Sequence, residues 1–278
     1  MIRVIAVDVD GTLLDSRARL PDAHRDALVE AVRCGAEVAL VTGRSFHFAK
    51  PIADLLPIPL TLIVNNGALL KTRSGDTVMR HLLTRDAARQ VLDATRAYEN
   101  SVALVFDRPG ERQIVFERMD WSHPNRRAYY DTNKAFIAQE TPLSRALTEE
   151  PVQLMFNGSL GPMRVLVTAL RRLPIADHLS VSITEYERRD FALVDVNGPG
   201  CSKGATLARW AASRGWTRDE VAAVGDNLND VEMLDFAGTA FVMGNATPEL
   251  QSRYSVVPSN DEDGLAVAVS RLSLRSDS

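Results

Sequence analysis

The sequence predicts an α/β fold in which a doubly wound parallel sheet is interrupted by an α+β insert. Two observations support this reading. Continuous apolar runs such as residues 3–7 (RVIAV) and 37–41 (EVALV) have the pattern of strands buried on both faces, the usual state of parallel strands. These runs alternate with helical patterns near the start of the chain and again after residue 203, as repeated βα units do.

The first strand, at 3–7, runs directly into Asp8. Pro21 opens a helical pattern with Leu28, Ala31 and Val32 on one face, and Gly35 closes it before the strand at 37–41. TLIV and ALLK then flank Asn66-Gly67. The insert follows with an amphipathic helix at 85–98, adjacent strands SVALVF and RQIVFE, and a polar aromatic segment at 121–136. It continues with strand PVQLMF, a helix at 162–172 and strand HLSVSITEY. Polar hinges near 74–84 and 186–190 bound it, so the expected division is a core of residues 1–83 plus 188–278 around a domain of residues 84–187. The core resumes with helices at 204–214, 229–236, near 248 and at 262–272, between strands at 221–224, 239–243 and 254–257.

Composition narrows function by exclusion. The 278 residues are 45% hydrophobic and 24% charged, the range of ordinary globular chains. A net charge of −4 from 32 basic and 36 acidic residues, with no long basic run, leaves no electrostatic footprint for nucleic acid or an anionic membrane. The longest nearly apolar stretch, Leu55 to Val64, is about half the ~20 residues of a membrane span and contains two prolines. Asp8 and Asp10 fall where a secretory signal would remain apolar, so a cytoplasmic location is expected. Cys34 and Cys201 lack the spacing of a metal or redox pair.

Four short motifs follow or adjoin predicted parallel strands. In Asp8-Val9-Asp10-Gly11-Thr12, two carboxylates one residue apart point to the same side and suit a hard cation, while Gly11 lets backbone approach a ligand. In Val41-Thr42-Gly43-Arg44, a hydroxyl and a backbone N–H at a helix start form a phosphate cradle. Lys203, between Ser202 and Gly204, can neutralise phosphate oxygens, although the Ser-Lys-Gly order is not that of a P-loop. In Gly225-Asp226-Asn227-Leu228-Asn229-Asp230, the two acids lie around one helical turn where a cation can bridge them; Leu228 and Val231 exclude an EF-hand. Each motif alone also fits a capped turn or a solvated charge. Together they mark the sheet edge at which open α/β folds bind ligands.

With these four motifs in this order, the chain resembles the haloacid dehalogenase (HAD) superfamily. Asn66-Gly67-Ala68, Met243-Gly244-Asn245-Ala246 and the stretch from Ser259 to Gly264 extend the likeness to the Cof-type phosphatases of subfamily IIB. The resemblance covers most of residues 1–83 and 188–272. It implies a Rossmann-like core with a C2B-type cap formed by residues 84–187. It also implies a Mg²⁺-dependent phosphatase that hydrolyses small phosphorylated metabolites, sugar phosphates foremost, through an aspartyl phosphate.

In that scheme Asp8 is the nucleophile and Asp10 the general acid and base, with burial favouring protonated Asp10. Mg²⁺ is expected on the Asp8 carboxylate, the Asp10 backbone carbonyl and Asp226, with Asp230 orienting those ligands. Gly11, Thr42, Gly43, Lys203 and Asn229 would hold the phosphoryl group. A phosphomannomutase-like phosphomutase and a non-catalytic phosphate-binding regulator stay open as alternatives. The expected partner is a small phosphorylated metabolite, with neither nucleic acid nor membrane. Asn66-Gly67 also fits a two-residue type I′ hairpin turn, Asn245 a cap of the following helix and His47 a helix face, and none is assigned to catalysis. Within the insert, residues 121–134 concentrate His123, Arg126, Arg127, Tyr129, Tyr130 and Lys134. Arg126, Arg127 and Lys134 are therefore candidates for reading the substrate, although the same charges suit a solvated helix.

Overall fold

The computed structural model describes residues 1–122 and 124–274, with all their side chains except those of Asn125, Ala128, Tyr129, Thr132 and Arg188. The chain divides into two compact units, one formed by Met1–Arg80 together with the residues from Ser202 onward, the other by His81–Cys201.

The first unit begins with β1 (Val4–Asp8), α1 (Asp22–Arg33), β2 (Glu37–Val41), α2 (Phe46–Ala53), β3 (Thr61–Val64), β4 (Leu69–Thr72) and β5 (Thr77–Arg80). Every residue of β1 is buried, which is why Val4 to Val7 are all apolar rather than alternately so; the buried exception is Asp8 at its end. Helix α2 is the helix expected to start after Thr42-Gly43; it carries His47 and has Pro51 inside it. The link between antiparallel β3 and β4 also differs from expectation. Val64 pairs with Leu69, so four residues make the turn. Asn65, Asn66 and Gly67 all take positive φ (52°, 52° and 101°), as Asn and Gly do most readily, and form a 3-10 turn instead of a two-residue type I′ turn.

The second unit contains α3 (Arg85–Ala94), β6 (Val102–Val105), β7 (Ile114–Phe116), α4 (Pro124–Asn133), β8 (Ile137–Gln139), β9 (Gln153–Gly158), α5 (Leu160–Leu170), β10 (Ser180–Tyr186) and β11 (Phe191–Asn197). Its sheet has the order β10-β11-β9-β6-β7-β8 and is antiparallel except where β7 meets β8. Alternate residues Leu154 and Phe156 of β9 and Val194 and Val196 of β11 join Ala88 and Val91 of α3 and Leu166 and Leu170 of α5 in one buried cluster. Each fully buried aliphatic or aromatic side chain of this kind contributes ~1.5–3 kcal/mol.

The expected boundary at 187/188 is corrected by β11. This strand pairs with β10 along its whole length and with β9 on its other side, so residues 187–190 turn a hairpin inside the unit instead of leading out of it. The unit's first and last segments lie side by side: a Cβ on Gly198 would come within 2.6 Å of the Leu82 carbonyl oxygen.

The first unit resumes with α6 (Lys203–Ser213), β12 (Val221–Gly225), α7 (Val231–Phe236), β13 (Thr239–Met243), α8 (Pro248–Gln251), β14 (Ser255–Val257) and α9 (Gly264–Ser270). Its sheet has the order β14-β13-β12-β1-β2-β3-β4-β5, parallel from β14 to β3 and antiparallel at β4 and β5. Val4, Ala6, Ala39 and Val41 of the central strands pack with Leu207 and Trp210 of α6 and Met233 of α7. No helix among the described residues is long and apolar enough to cross a membrane.

Candidate active site

The topology places β1 between β12 and β2, so the loops after these three parallel strands emerge together. Asp8 is the last residue of β1, Thr42 follows β2 and Asp226 follows β12. Lys203 opens α6, whose N-cap Ser202 accepts the Ala205 N–H at 3.0 Å and donates to Glu232.

Lys203 joins the motifs. Its Nζ donates to Asp8 Oδ1 at 2.6 Å and to Asp230 Oδ1 at 2.7 Å, with its side chain 1% exposed. Asp230 Oδ2 accepts the backbone N–H groups of Asp226 and Asn227, both at 3.0 Å, so Asp230 orients both the lysine and the backbone after β12. Asp8, Asp226 and Asp230 each offer a ligand oxygen within 4.8 Å of the others. Gly11, at φ +84°, is required here because a Cβ would lie 2.3 Å from Asp226 Oδ2.

Burial first, and then the Asp230 charge, push the Asp8 carboxyl well above the usual carboxylate range despite Lys203. Asp226 is pushed up to about 7 by burial and then by Asp230. For Lys203 burial acts downward, but Asp230 and Asp8 outweigh it and hold the ammonium charged. Burial raises both carboxyls, and the one ammonium of Lys203 does not offset it together with the repulsion among the gathered acids. A buried, all-oxygen donor set with negative charge in excess fits a hard divalent cation.

The remaining predicted residues surround this cluster. Thr42 is buried and its Oγ1 accepts the Arg44 N–H at 3.1 Å, which leaves its own O–H as a donor. Gly43 approaches Asn66, whose Oδ1 accepts from Asn229 Nδ2 at 3.2 Å. Asp10 differs from expectation. Its side chain is 44% exposed rather than buried, and the Arg44 guanidinium grips it with Nε to Oδ2 at 2.7 Å and Nη2 to Oδ1 at 2.6 Å. Asn245 does not cap α8, whose N-cap is Thr247. Its Nδ2 instead donates to the Gly11 carbonyl at 2.9 Å and to Asp226 Oδ2 at 3.3 Å, while Thr12 Oγ1 reaches Asp226 Oδ1 at 3.2 Å. Thr12, Arg44, Asn66 and Asn245 are thus site residues that the sequence reading left unassigned, although all four lie inside its quoted motifs.

In the second unit the structure does not gather Arg126, Arg127 and Lys134 into a site. Arg126 is buried, donating through Nε to Asn157 Oδ1 at 2.5 Å, through Nη1 to the Asp120 carbonyl at 3.1 Å and through Nη2 to Ser101 Oγ at 2.9 Å. Its charge is used within the unit, so it is withdrawn as a substrate-reading residue. Arg127 is exposed and pairs with Asp131 one turn along α4 at 3.3 Å, and Lys134 is exposed. The Tyr130 ring packs against Trp121 with centroids 4.7 Å apart and planes tilted by 56°. His123 and the Tyr129 side chain lie outside the described residues.

A family model described as haloacid dehalogenase-like hydrolase matches residues 5–269. The chain is 29% identical to the pyridoxal phosphate phosphatase YbhA of Escherichia coli over 273 residues, covering 95% of this chain and 96% of that relative. It is 27% identical to the 5-amino-6-(5-phospho-D-ribitylamino)uracil phosphatase YcsE of Bacillus subtilis, covering 96% and 94%. Among solved structures it is similar to BT1666 of Bacteroides thetaiotaomicron, a phosphatase of the HAD enzyme superfamily, with a TM-score of 0.77, 26% identity and coverage of 97% and 94%. The strand-end acids, their lysine and this match over nearly the whole length lead to one conclusion: the chain belongs to the haloacid dehalogenase-like hydrolases, in their Cof-type phosphatase branch.

Proposed function

We propose that this enzyme hydrolyses small phosphorylated metabolites, sugar phosphates foremost, by passing the phosphoryl group to Asp8 and then to water. The observation that supports it is the buried Lys203 bridging Asp8 and Asp230 beside Asp226. In the first step an Asp8 oxygen bonds to phosphorus, the bond from phosphorus to the ester oxygen breaks, and Asp10 gives that oxygen its proton. In the second, water bonds to phosphorus, Asp10 takes its proton and the bond to Asp8 breaks, releasing inorganic phosphate. Asp10 must leave the Arg44 fork before it can carry that proton.

Lys203, the Thr42 hydroxyl, Asn229 and the N–H groups of Gly11 and Gly43 hold the phosphoryl oxygens. The Asp8 and Asp226 carboxylates and the Asp10 backbone carbonyl would hold Mg²⁺, with Asp230 orienting them; bound there, the ion supplies neutralising charge for the phosphoryl oxygens. The named substrates of YbhA and YcsE are small phosphorylated metabolites, which supports the same class here. The first unit's motifs meet only the phosphoryl group common to all such substrates, so the second unit acts as the cap that selects the leaving group. Arg127 and Lys134 remain its candidate reading residues.

The test is inorganic phosphate release from a panel of phosphorylated metabolites and a small aryl phosphate, with and without Mg²⁺. The expected result is Mg²⁺-dependent release, fastest for sugar phosphates and restored after chelation by adding the ion back. Full activity of verified metal-free protein would remove the metal from the scheme. Migration of phosphate within a hexose without release would install the phosphomutase reading instead.

A further inference from the structure

Asp226 is held differently from the two acids beside it. Asp8 and Asp230 each contact the Lys203 ammonium, whereas the side-chain donors that reach Asp226 among the described residues are neutral: the Thr12 hydroxyl on Oδ1 and the Asn245 amide on Oδ2. Neutral donors orient a carboxylate without cancelling the charge that a cation needs.

The Asn245 amide has a single consistent orientation. The backbone N–H of Asn260 can only donate, so the atom it meets at 3.0 Å is Oδ1. Nδ2 then has two donors for two acceptors, the Gly11 carbonyl at 2.9 Å and Asp226 Oδ2 at 3.3 Å. One side chain thereby links the loops after β1, β12 and β14. Those loops are themselves braced: Asn260 Nδ2 donates to the Leu14 carbonyl, and Asp261 Oδ1 accepts the Ser16 N–H, both at 2.8 Å. Next to Asn245, a Cβ on Gly244 would lie 3.0 Å from the Ser259 nitrogen and 3.1 Å from the Val257 oxygen, so the loop carrying the amide is pressed against its neighbour.

We infer that Asn245 is a positioning residue for the metal ligand Asp226, fixing its carboxylate relative to the backbone that follows Asp8 and Asp10. The inference rests on the metal site proposed above. Asn245 acts through the groups its amide contacts, Asp226 and Gly11. Removing an outer partner of a metal ligand costs roughly 10–100-fold in metal affinity.

The test is isothermal titration of Mg²⁺ into substrate-free wild type, Asn245→Ala and Asn260→Ala, with the thermal midpoint of each metal-free protein. In Asn245→Ala the Kd should rise about 10–100-fold. Asn260→Ala loses the contact to Leu14 but keeps the backbone N–H that orients Asn245; its midpoint should fall while its Kd stays within about twofold of wild type. A Kd unchanged in folded Asn245→Ala overturns the inference, as does an equal rise in both variants, which would mean general loosening of the loops. If wild type itself binds no Mg²⁺, the metal reading fails and this inference falls with it. Should Asn245→Ala not fold, Asn245→Ser takes its place, with a rise of at least about threefold expected and wild-type affinity overturning the inference.

Discussion

Lys203 in the first unit and Arg126 in the second are both buried cations, with side chains 1% and 7% exposed, and their surroundings are unlike. Lys203 meets two carboxylates with a third close by. Arg126 meets the Asn157 amide oxygen, the Ser101 hydroxyl and main-chain carbonyls, with only the half-exposed Asp120 carboxylate at 3.5 Å. Burial pulls the Arg126 guanidinium below its usual value against the Asp120 charge, whereas the carboxylates hold Lys203 above its own. A buried charge therefore marks a reactive site when its partners bring more opposite charge than it can neutralise. Where neutral oxygens satisfy it, the same burial makes it part of the framework.

The largest expected effect follows from the first surrounding. Asp8→Asn should remain folded and lose at least ~10³-fold in turnover, since an amide is no nucleophile and a poor partner for Lys203. Phosphate release near the wild-type rate from that variant would eliminate the covalent step. Arg126→Met should do the reverse, costing about 3 kcal/mol in denaturant unfolding while leaving hydrolysis of a small aryl phosphate by the folded fraction within about twofold. Unchanged stability combined with an altered ranking of substrates would restore Arg126 to a reading role.

Titration sharpens the contrast. Asp226 has a folded-state pKa of about 7, above its unfolded value, so its contribution is full below pH ~4 and is lost as pH rises through 7. The metal-free enzyme should lose a few kcal/mol between pH 5 and 8, and Mg²⁺ should raise the thermal midpoint most at the upper end; a flat profile would contradict the burial of uncompensated charge. The smallest effect belongs to His24 in α1. Its Nδ1 donates to the Leu13 carbonyl at 2.9 Å, and its buried Nε2 has no partner among the described residues. Burial lowers its pKa, opposed first by the Leu13 carbonyl and then by Asp263 and Asp15, so the unfolded chain takes up the proton first and stability declines as pH falls below about 6.5. Between pH 7.5 and 5.5 the urea midpoint of wild type should drop by roughly 0.3 M more than that of His24→Leu. Equal drops would show that His24 does not contribute.

Strands buried on both faces, such as β1 and β12, are legible in the sequence because each holds an unbroken apolar run, Val4 to Val7 and Val221 to Val224. Strand β11 is not. Its Asp195 and Asn197 are buried against Gln153, which donates to Asp195 at 2.8 Å, so its polarity belongs to one sheet face and mimics a return to loop. In the site, Asp8, Lys203 and Asp230 stand out because residue type and strand-end position together mark them. Thr12 meets Asp226 214 residues away and Asn245 meets the Gly11 carbonyl 234 residues away, which no local pattern displays. Arg126 misleads for the same reason, since the Asn157 that satisfies it is 31 residues on.

The close approach of Leu82 and Gly198 bears on the order in which the molecule assembles. Val4 of β1 pairs with Val221 of β12, with all of His81–Cys201 between them in the chain. Closing a loop of that length as free coil costs entropy that grows with the logarithm of its length. A second unit that has already folded brings its two ends together and removes His81–Cys201 from the effective loop, leaving only first-unit residues to close it. Strand β1 can pair with β2 as soon as both are synthesised, but must wait for the entire insert before meeting β12. In pulse-labelled hydrogen exchange during refolding, amides of β9 and β11 should gain protection before those of β12, so that the strand that delivers Asp226 joins β1 only after the insert has folded.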